Sequence, residues 1–226
     1  MKKPTKADIS LLSRALSVAR GMVSPSYVAA EAKLKNKMKD APKKAGGGNF
    51  MIVHDEAVHP DICANIIDKF EELPIIEMIE EEGNKFKPVD ESYNGKPHRY
   101  KSKGRIHGNI YPGPFLDEIF DMVGFALPKG PEFGVVNYVQ IINYPEGTHF
   151  PWHMDIADDR DSGTAILFLN DNFVGGQLNV GGHRFMTKQG TVVGFNNSTQ
   201  VFHTVEPLWK GSRYCLAIWF GLAENN

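Results

Sequence analysis

His153-Met154-Asp155 is the stretch on which the reading of this chain turns. Side chains alternate along a strand, so the first and third residues of the triplet share a face, and one extended segment offers an imidazole and a carboxylate to the same ion. A second imidazole has to arrive from elsewhere. His203 lies fifty residues downstream, which leaves room for several short antiparallel strands to return the chain to the same place. The spacing therefore asks for a β-rich fold that closes three ligands around one metal.

Two His and one carboxylate on one face of an ion leave the opposite face open, the arrangement expected of non-haem Fe(II) oxygenases. Arg213 narrows that reading. It follows His203 by ten residues, an interval that predicts a turn and a neighbouring strand carrying Arg213 back beside the ligand. Arg213-Tyr-Cys-Leu-Ala-Ile-Trp-Phe220 is strand-like in its aromatic and branched content. A guanidinium in an otherwise apolar strand needs an anion to offset its desolvation. A dicarboxylic acid bound to the metal would supply one.

Residues 137–221 resemble the catalytic core of Fe(II)/2-oxoglutarate-dependent dioxygenases, and within them the prolyl 4-hydroxylase-like branch. Several stretches match that pattern in order: Gln140-Ile-Ile-Asn-Tyr144-Pro-Glu-Gly147 ahead of His153, Thr164-Ala-Ile-Leu-Phe-Leu-Asn170 after Asp155, the turn Gly175-Gly-Gln-Leu178, and His203-Thr-Val-Glu-Pro207 running on to Arg213 and Trp219. The resemblance implies an α+β, mainly β protein: a double-stranded β-helix (jelly roll) core with supporting helices on one side. It implies Fe(II) as metal, with 2-oxoglutarate and dioxygen as cosubstrates and ascorbate as an optional accessory. His153, Asp155 and His203 would be the metal ligands. Arg213 would hold the cosubstrate's far carboxylate, with Tyr144 and Trp219 as walls of its pocket. No catalytic side chain beyond the ligands is required.

Two positions depart from the oxygen-sensing relatives, where a Tyr and a Thr help to hold that carboxylate; the matching residues here are Phe168 and Ala217. Asp155 is retained where halogenating relatives have a small residue, so hydroxylation is the expected chemistry. The substrate suggested first is a peptidyl proline. A free amino acid or small metabolite is the second reading, and a non-catalytic jelly-roll interaction module the third.

Other histidines are given ordinary roles. His149 and His153 have the i, i+4 spacing of helical ligands, but Pro145, Gly147 and Pro151 oppose a helix, so His149 is read as a site-edge or surface residue. His183 is read as a turn residue after Gly181-Gly182, and His54, His59, His98 and His107 as structural. Gly175-Gly176 is expected to form a hairpin turn.

The chain of 226 residues has a formal net charge of −2 and is 42% hydrophobic, which suits one core plus an appendage. That charge gives no electrostatic case for wholesale nucleic-acid or membrane binding. Two cysteines, Cys63 and Cys215, both in apolar surroundings, imply no disulfide framework. With no signal-like or membrane-spanning run, a cytoplasmic location is expected.

Residues 1–48 read as a helical, basic extension and linker, with Ile9, Leu12, Leu16 and Ala19 at helical spacing, a second helix over 26–39, and lysines from Lys33 to Lys44 ahead of Gly46-Gly47-Gly48. Residues 49–226 form the expected catalytic domain. It opens with a strand at Met51 and a helix from Asp61 presenting Ile62, Ile66, Ile67 and Phe70. A loop-rich stretch over 82–113 should shape substrate access; its Arg99, Lys101, Lys103 and Arg105 could favour an acidic substrate, with a solvated loop as the default reading. A helix is expected over Phe115 to Val123, and short strands follow from Val135.

Overall fold

The computed structural model describes residues 51–81, 85–128, 135–155, 161–186, 188–196 and 201–221. The expected N-terminal helices, the basic linker and the boundary near residue 48 lie outside the described residues.

In chain order the elements are β1 (Met51–His54), α1 (Pro60–Glu72), β2 (Met78–Glu81), β3 (Lys85–Pro88), β4 (His98–Ser102), β5 (Arg105–Ile110), α2 (Pro114–Val123), β6 (Val135–Tyr144), β7 (Phe150–His153), β8 (Asp161–Phe168), β9 (Val174–Gly175), β10 (Leu178–Val180), β11 (His183–Phe185), β12 (Val192–Asn196), β13 (His203–Val205), β14 (Leu208–Lys210) and β15 (Arg213–Gly221). A seven-stranded antiparallel sheet runs β1-β12-β8-β15-β6-β5-β4, and a four-stranded sheet runs β11-β10-β13-β7. These two sheets make the jelly roll.

The central strands β8 and β15 of the large sheet carry apolar residues on both faces, because both faces are covered. On β15, Leu216, Ile218 and Phe220 join the same core as Ile66 and Phe70 of α1 and Ile119 and Val123 of α2. Cys215 and Ala217, one residue out of phase, join a second core with Leu178, Val180 and Val205 of the small sheet. β6 and β8 divide in the same way, Ile141 and Leu167 facing the helices while Ile142, Ile166 and Phe168 face the small sheet. Burying each of these aliphatic side chains contributes roughly 1.5–3 kcal/mol. A one-residue slip would exchange the two cores, so the register is tightly held.

The helices follow from local signals. Pro60 occupies the first turn of α1, and His59 caps it by accepting a hydrogen bond from the Asp61 backbone N–H. Pro114 opens α2 in the same manner.

The stretch expected to be loop-rich is different. Residues 78–110 form two hairpins, β2–β3 and β4–β5, and the second extends the edge of the large sheet. Lys103 and Gly104 both have positive φ, as a two-residue type I′ turn requires. Along β5 the small and apolar residues Ile106, Gly108 and Ile110 alternate with Arg105, His107 and Asn109. Gly108 lies so close to the ring of Phe70 that a Cβ there would fall 2.6 Å from a ring carbon, which seats the hairpin against α1. Its polar stripe points the other way, into the space between the sheets.

Candidate active site

β7 and β13 are antiparallel neighbours in the small sheet, with His153 directly opposite His203. Cross-strand pairing brings the two imidazole rings to a centroid separation of 4.0 Å. Asp155, just past the end of β7, closes the set. Its Oδ1 lies 3.2 Å from His153 Nε2 and its Oδ2 lies 3.4 Å from His203 Nε2. One ligand atom from each of the three residues lies within 4.8 Å of the others. Ligand bonds of about 2.1 Å place adjacent donors of a six-coordinate ion roughly 3 Å apart, so one ion can reach all three.

The surroundings prepare these groups for a cation. His153 Nδ1 donates to the Pro151 carbonyl at 2.9 Å, which leaves the Nε2 lone pair free. Thr164 donates to Asp155 Oδ2 at 2.9 Å. Burial alone would raise the Asp155 carboxyl, but the imidazoles of His203 and His153 hold it well below the usual carboxylate range. Burial pushes His153 below its ordinary value, keeping it neutral and able to ligate. His149 is half-buried and is not in the cluster, and exposed His183 begins β11.

Arg213 sits elsewhere than the spacing suggests. It does not lie on a strand beside His203; β15 belongs to the large sheet, and Arg213 faces the histidines across the cleft. The intervening strand β14 pairs with β9 in a separate two-stranded ribbon that carries the chain from one sheet to the other. The turn Gly175-Gly176 is corrected by the same ribbon. It is no simple hairpin, because β9 pairs with β14 and β10 pairs with β13. At Gly175, φ is +86° and a Cβ would come 2.3 Å from the Pro207 carbonyl oxygen. At Gly176 a Cβ would meet the Arg213 stem at 3.2 Å. The glycines are needed for close packing that seats Arg213.

Arg213 is 1% exposed. Its guanidinium lies 4.9 Å from the Tyr144 ring centroid and 5.4 Å from that of Phe168. Among the described residues Nη1 donates only to the soft acceptor Cys215 Sγ, at 3.5 Å, and Nε and Nη2 have no partner. A buried cation so poorly answered calls for an anion between the sheets. The cleft there has a volume of about 200 Å³ and is lined by the three histidine and aspartate side chains, Arg213, Tyr144, Ala217 and Trp219.

Arg105, His107 and Gln140 also line this cleft. Gln140 accepts from His107 Nδ1 at 2.9 Å and donates to Asn109 Oδ1 at 2.9 Å. Tyr100 stacks on the His107 ring at 5.1 Å. Burial, helped by the Arg105 charge, lowers His107 to about 4. The signal for these residues was the alternation Arg105-x-His107-x-Asn109 after Lys103-Gly104. In this strand the polar face is the inner one.

Comparison with known proteins agrees with this geometry. Residues 139–221 match the family model described as the 2OG-Fe(II) oxygenase superfamily. No curated protein matches the sequence. Among solved structures, a Pseudomonas putida prolyl-4-hydroxylase superposes with a TM-score of 0.53 at 20% identity, over 77% of this chain and 94% of that one. A 2OG-Fe(II) oxygenase family oxidoreductase from Burkholderia pseudomallei gives 0.51 at 17% identity, over 77% and 88%. A prolyl hydroxylase from Trichoplax adhaerens, in complex with a hypoxia inducible factor oxygen degradation domain peptide fragment, gives 0.54 at 13% identity, over 88% and 94%.

Proposed function

We propose that this chain, whose residues 139–221 match the 2OG-Fe(II) oxygenase superfamily, is a dioxygenase of that superfamily that hydroxylates an aliphatic C–H bond, with a peptidyl proline as first substrate. The observation that carries the reading is the pairing, across one cleft, of a His-Asp-His cluster with a buried guanidinium that no carboxylate among the described residues answers. Fe(II), 2-oxoglutarate and dioxygen, when bound, supply the oxidising chemistry that the side chains lack.

Each residue has a task in this reading. His153, Asp155 and His203 hold the metal and leave its opposite face open. Arg213 takes the far carboxylate of 2-oxoglutarate and fixes its direction, since a planar guanidinium binds a carboxylate at two points. The buried Tyr144 ring supports that guanidinium, and Trp219 forms a partly exposed wall. Phe168 supplies a ring face rather than a hydroxyl, and Ala217 lines the cleft without a polar group, so Arg213 carries most of the anchoring. Ile142, Ile166 and Leu178 give the cleft an apolar lining. The superposition with two prolyl hydroxylases supports proline as substrate.

Among the described residues no helix is long and apolar enough to cross a membrane. The cysteines Cys63 and Cys215 are free and buried, which suits the reducing, cytoplasmic setting we propose. Residues 1–48 are proposed as an extension outside the catalytic domain.

The test is succinate release with Fe(II), 2-oxoglutarate and ascorbate against proline-rich peptides and free amino acids. Stimulation by the peptides is the expected result. Stimulation by free amino acids alone would transfer the proposal to a small-molecule substrate, a reading favoured by the second guanidinium in the cleft.

A further inference from the structure

Arg105 is not used by the function proposed above, yet it lies in the same cleft and is only 5% exposed. Its guanidinium stands 3.7 Å from the Phe150 ring centroid and 5.5 Å from that of Tyr144. Nη1 donates weakly to the Tyr144 hydroxyl at 3.4 Å, and Nε has no partner. Among the described residues no carboxylate pairs with it. His107 beside it is neutral, so it supplies no charge.

We propose that Arg105 is a second anion site, which receives a carboxylate carried by the substrate close to the bond to be hydroxylated. This rests on the oxygenase reading and names the substrate class for the same site. Counting charge makes the case. The described cleft residues bring two guanidiniums and one carboxylate, Asp155. A divalent metal raises that sum to plus three, and 2-oxoglutarate removes two. One positive charge is left over in a desolvated cleft, where an uncompensated ion is costly.

Position separates Arg105 from the cosubstrate site. Arg213 pairs with Tyr144 across β15 and β6, while Ile106 pairs with Asn143 across β5 and β6. Arg105 therefore neighbours Tyr144 from the far side, and the two arginines stand two strands apart, roughly 10 Å at the backbone. Phe150 links Arg105 to the metal cluster, because its other contact is the His153 ring, at 4.1 Å between centroids. An anion held by Arg105 is thus one ring's width from a metal ligand. Two sources share this chemistry: the carboxylate of a free amino acid, or an acidic side chain or C-terminus of a peptide.

The experiment is calorimetric titration of the full chain loaded with Mn(II) and 2-oxoglutarate, without turnover. The probes are matched pairs: L-proline with L-prolinamide, and acetylated Pro-Glu with Pro-Gln peptides carrying C-terminal amides, together with Pro-terminal peptides as free acid and amide. At least one acid should bind about tenfold or more tightly than its amide, and the pair that does so identifies the source. Arg105→Gln should erase the preference while moving 2-oxoglutarate affinity by less than about threefold, and Arg105→Lys should restore part of the preference. Should thermal melting show Arg105→Gln unfolded, Arg105→Met, which keeps the apolar stem on Phe150, takes its place. Absence of any acid preference, its survival in the neutral variant, or a loss of 2-oxoglutarate as large as in Arg213→Gln would overturn the proposal. Failure of the wild-type, Mn(II)-loaded chain to bind 2-oxoglutarate has a separate signature and would sink the oxygenase reading with it.

Discussion

The two walls of the cleft are built differently. The metal-facing wall consists of short strands, β7 and β13, and the His153 side chain remains 24% exposed. The opposite wall, β15, β6 and β5, is backed by two helices, and Arg213, the first residue of β15, is 1% exposed. A lightly supported wall suits ligands that must exchange an ion with solvent. A rigid wall suits a cation whose position must be fixed before its anion arrives, because preorganisation lowers the cost of binding. The difference teaches that metal affinity and cosubstrate affinity are separable properties of this site.

The largest effect should come from the metal wall. Asp155→Ala removes the only carboxylate among the described cleft residues and should abolish succinate formation, with metal retention after dialysis as the independent measure. Arg213→Ala comes next. Leaving a buried anion without its partner costs about 3–5 kcal/mol, so 2-oxoglutarate should bind on the order of a hundred to several thousand times more weakly. Mn(II) affinity should change little. Equal loss of both ligands in a titration would break the distinction between the walls.

Stability can be attacked at the ribbon joining them. Gly175→Ala combines a left-handed φ with a 2.3 Å approach to the Pro207 carbonyl and should cost about 2–4 kcal/mol in denaturant unfolding. A variant as stable as the parent would show that the ribbon can shift. The rigid wall can also be sharpened. Ala217→Thr places a hydroxyl in the cleft and should tighten 2-oxoglutarate by about fivefold, roughly 1 kcal/mol for one added hydrogen bond.

Much of this site was legible before the fold. His153, Asp155 and His203 could be paired because strand alternation and antiparallel return are local rules, and the aromatic and branched content of residues 213–220 marked a strand. The side of the cleft on which Arg213 would lie could not be read, since ten residues allow either a return within one sheet or a crossing to the other. The ribbon β9–β14 decides that. Arg105 was legible only as one of a run of basic loop residues able to favour an acidic substrate, and His107 as structural; their place inside the cleft was hidden for a further reason. In a soluble protein a polar stripe on a strand is usually read as the solvent face, whereas the inside of this jelly roll is itself polar along β5. Only the packing of Gly108 on Phe70 fixes which face of β5 looks inward.

The rigid wall also responds to acid. His107 falls from 6.5 to about 4 on folding, chiefly through burial and then the Arg105 charge. Its folded value lies below the unfolded one, so between pH 6.5 and about 4 the unfolded chain binds more protons. Stability therefore drops as pH falls through that window, by on the order of 3 kcal/mol for this residue if the whole shift is realised. Below about 4 its contribution stops changing. His107→Gln keeps a donor for Gln140 but cannot take up a proton. Denaturant unfolding of the metal-free chain should show a shallower decline for this variant between pH 6.5 and 4. Parallel curves for parent and variant would mean that water reaches His107 and that this wall is softer than its burial indicates.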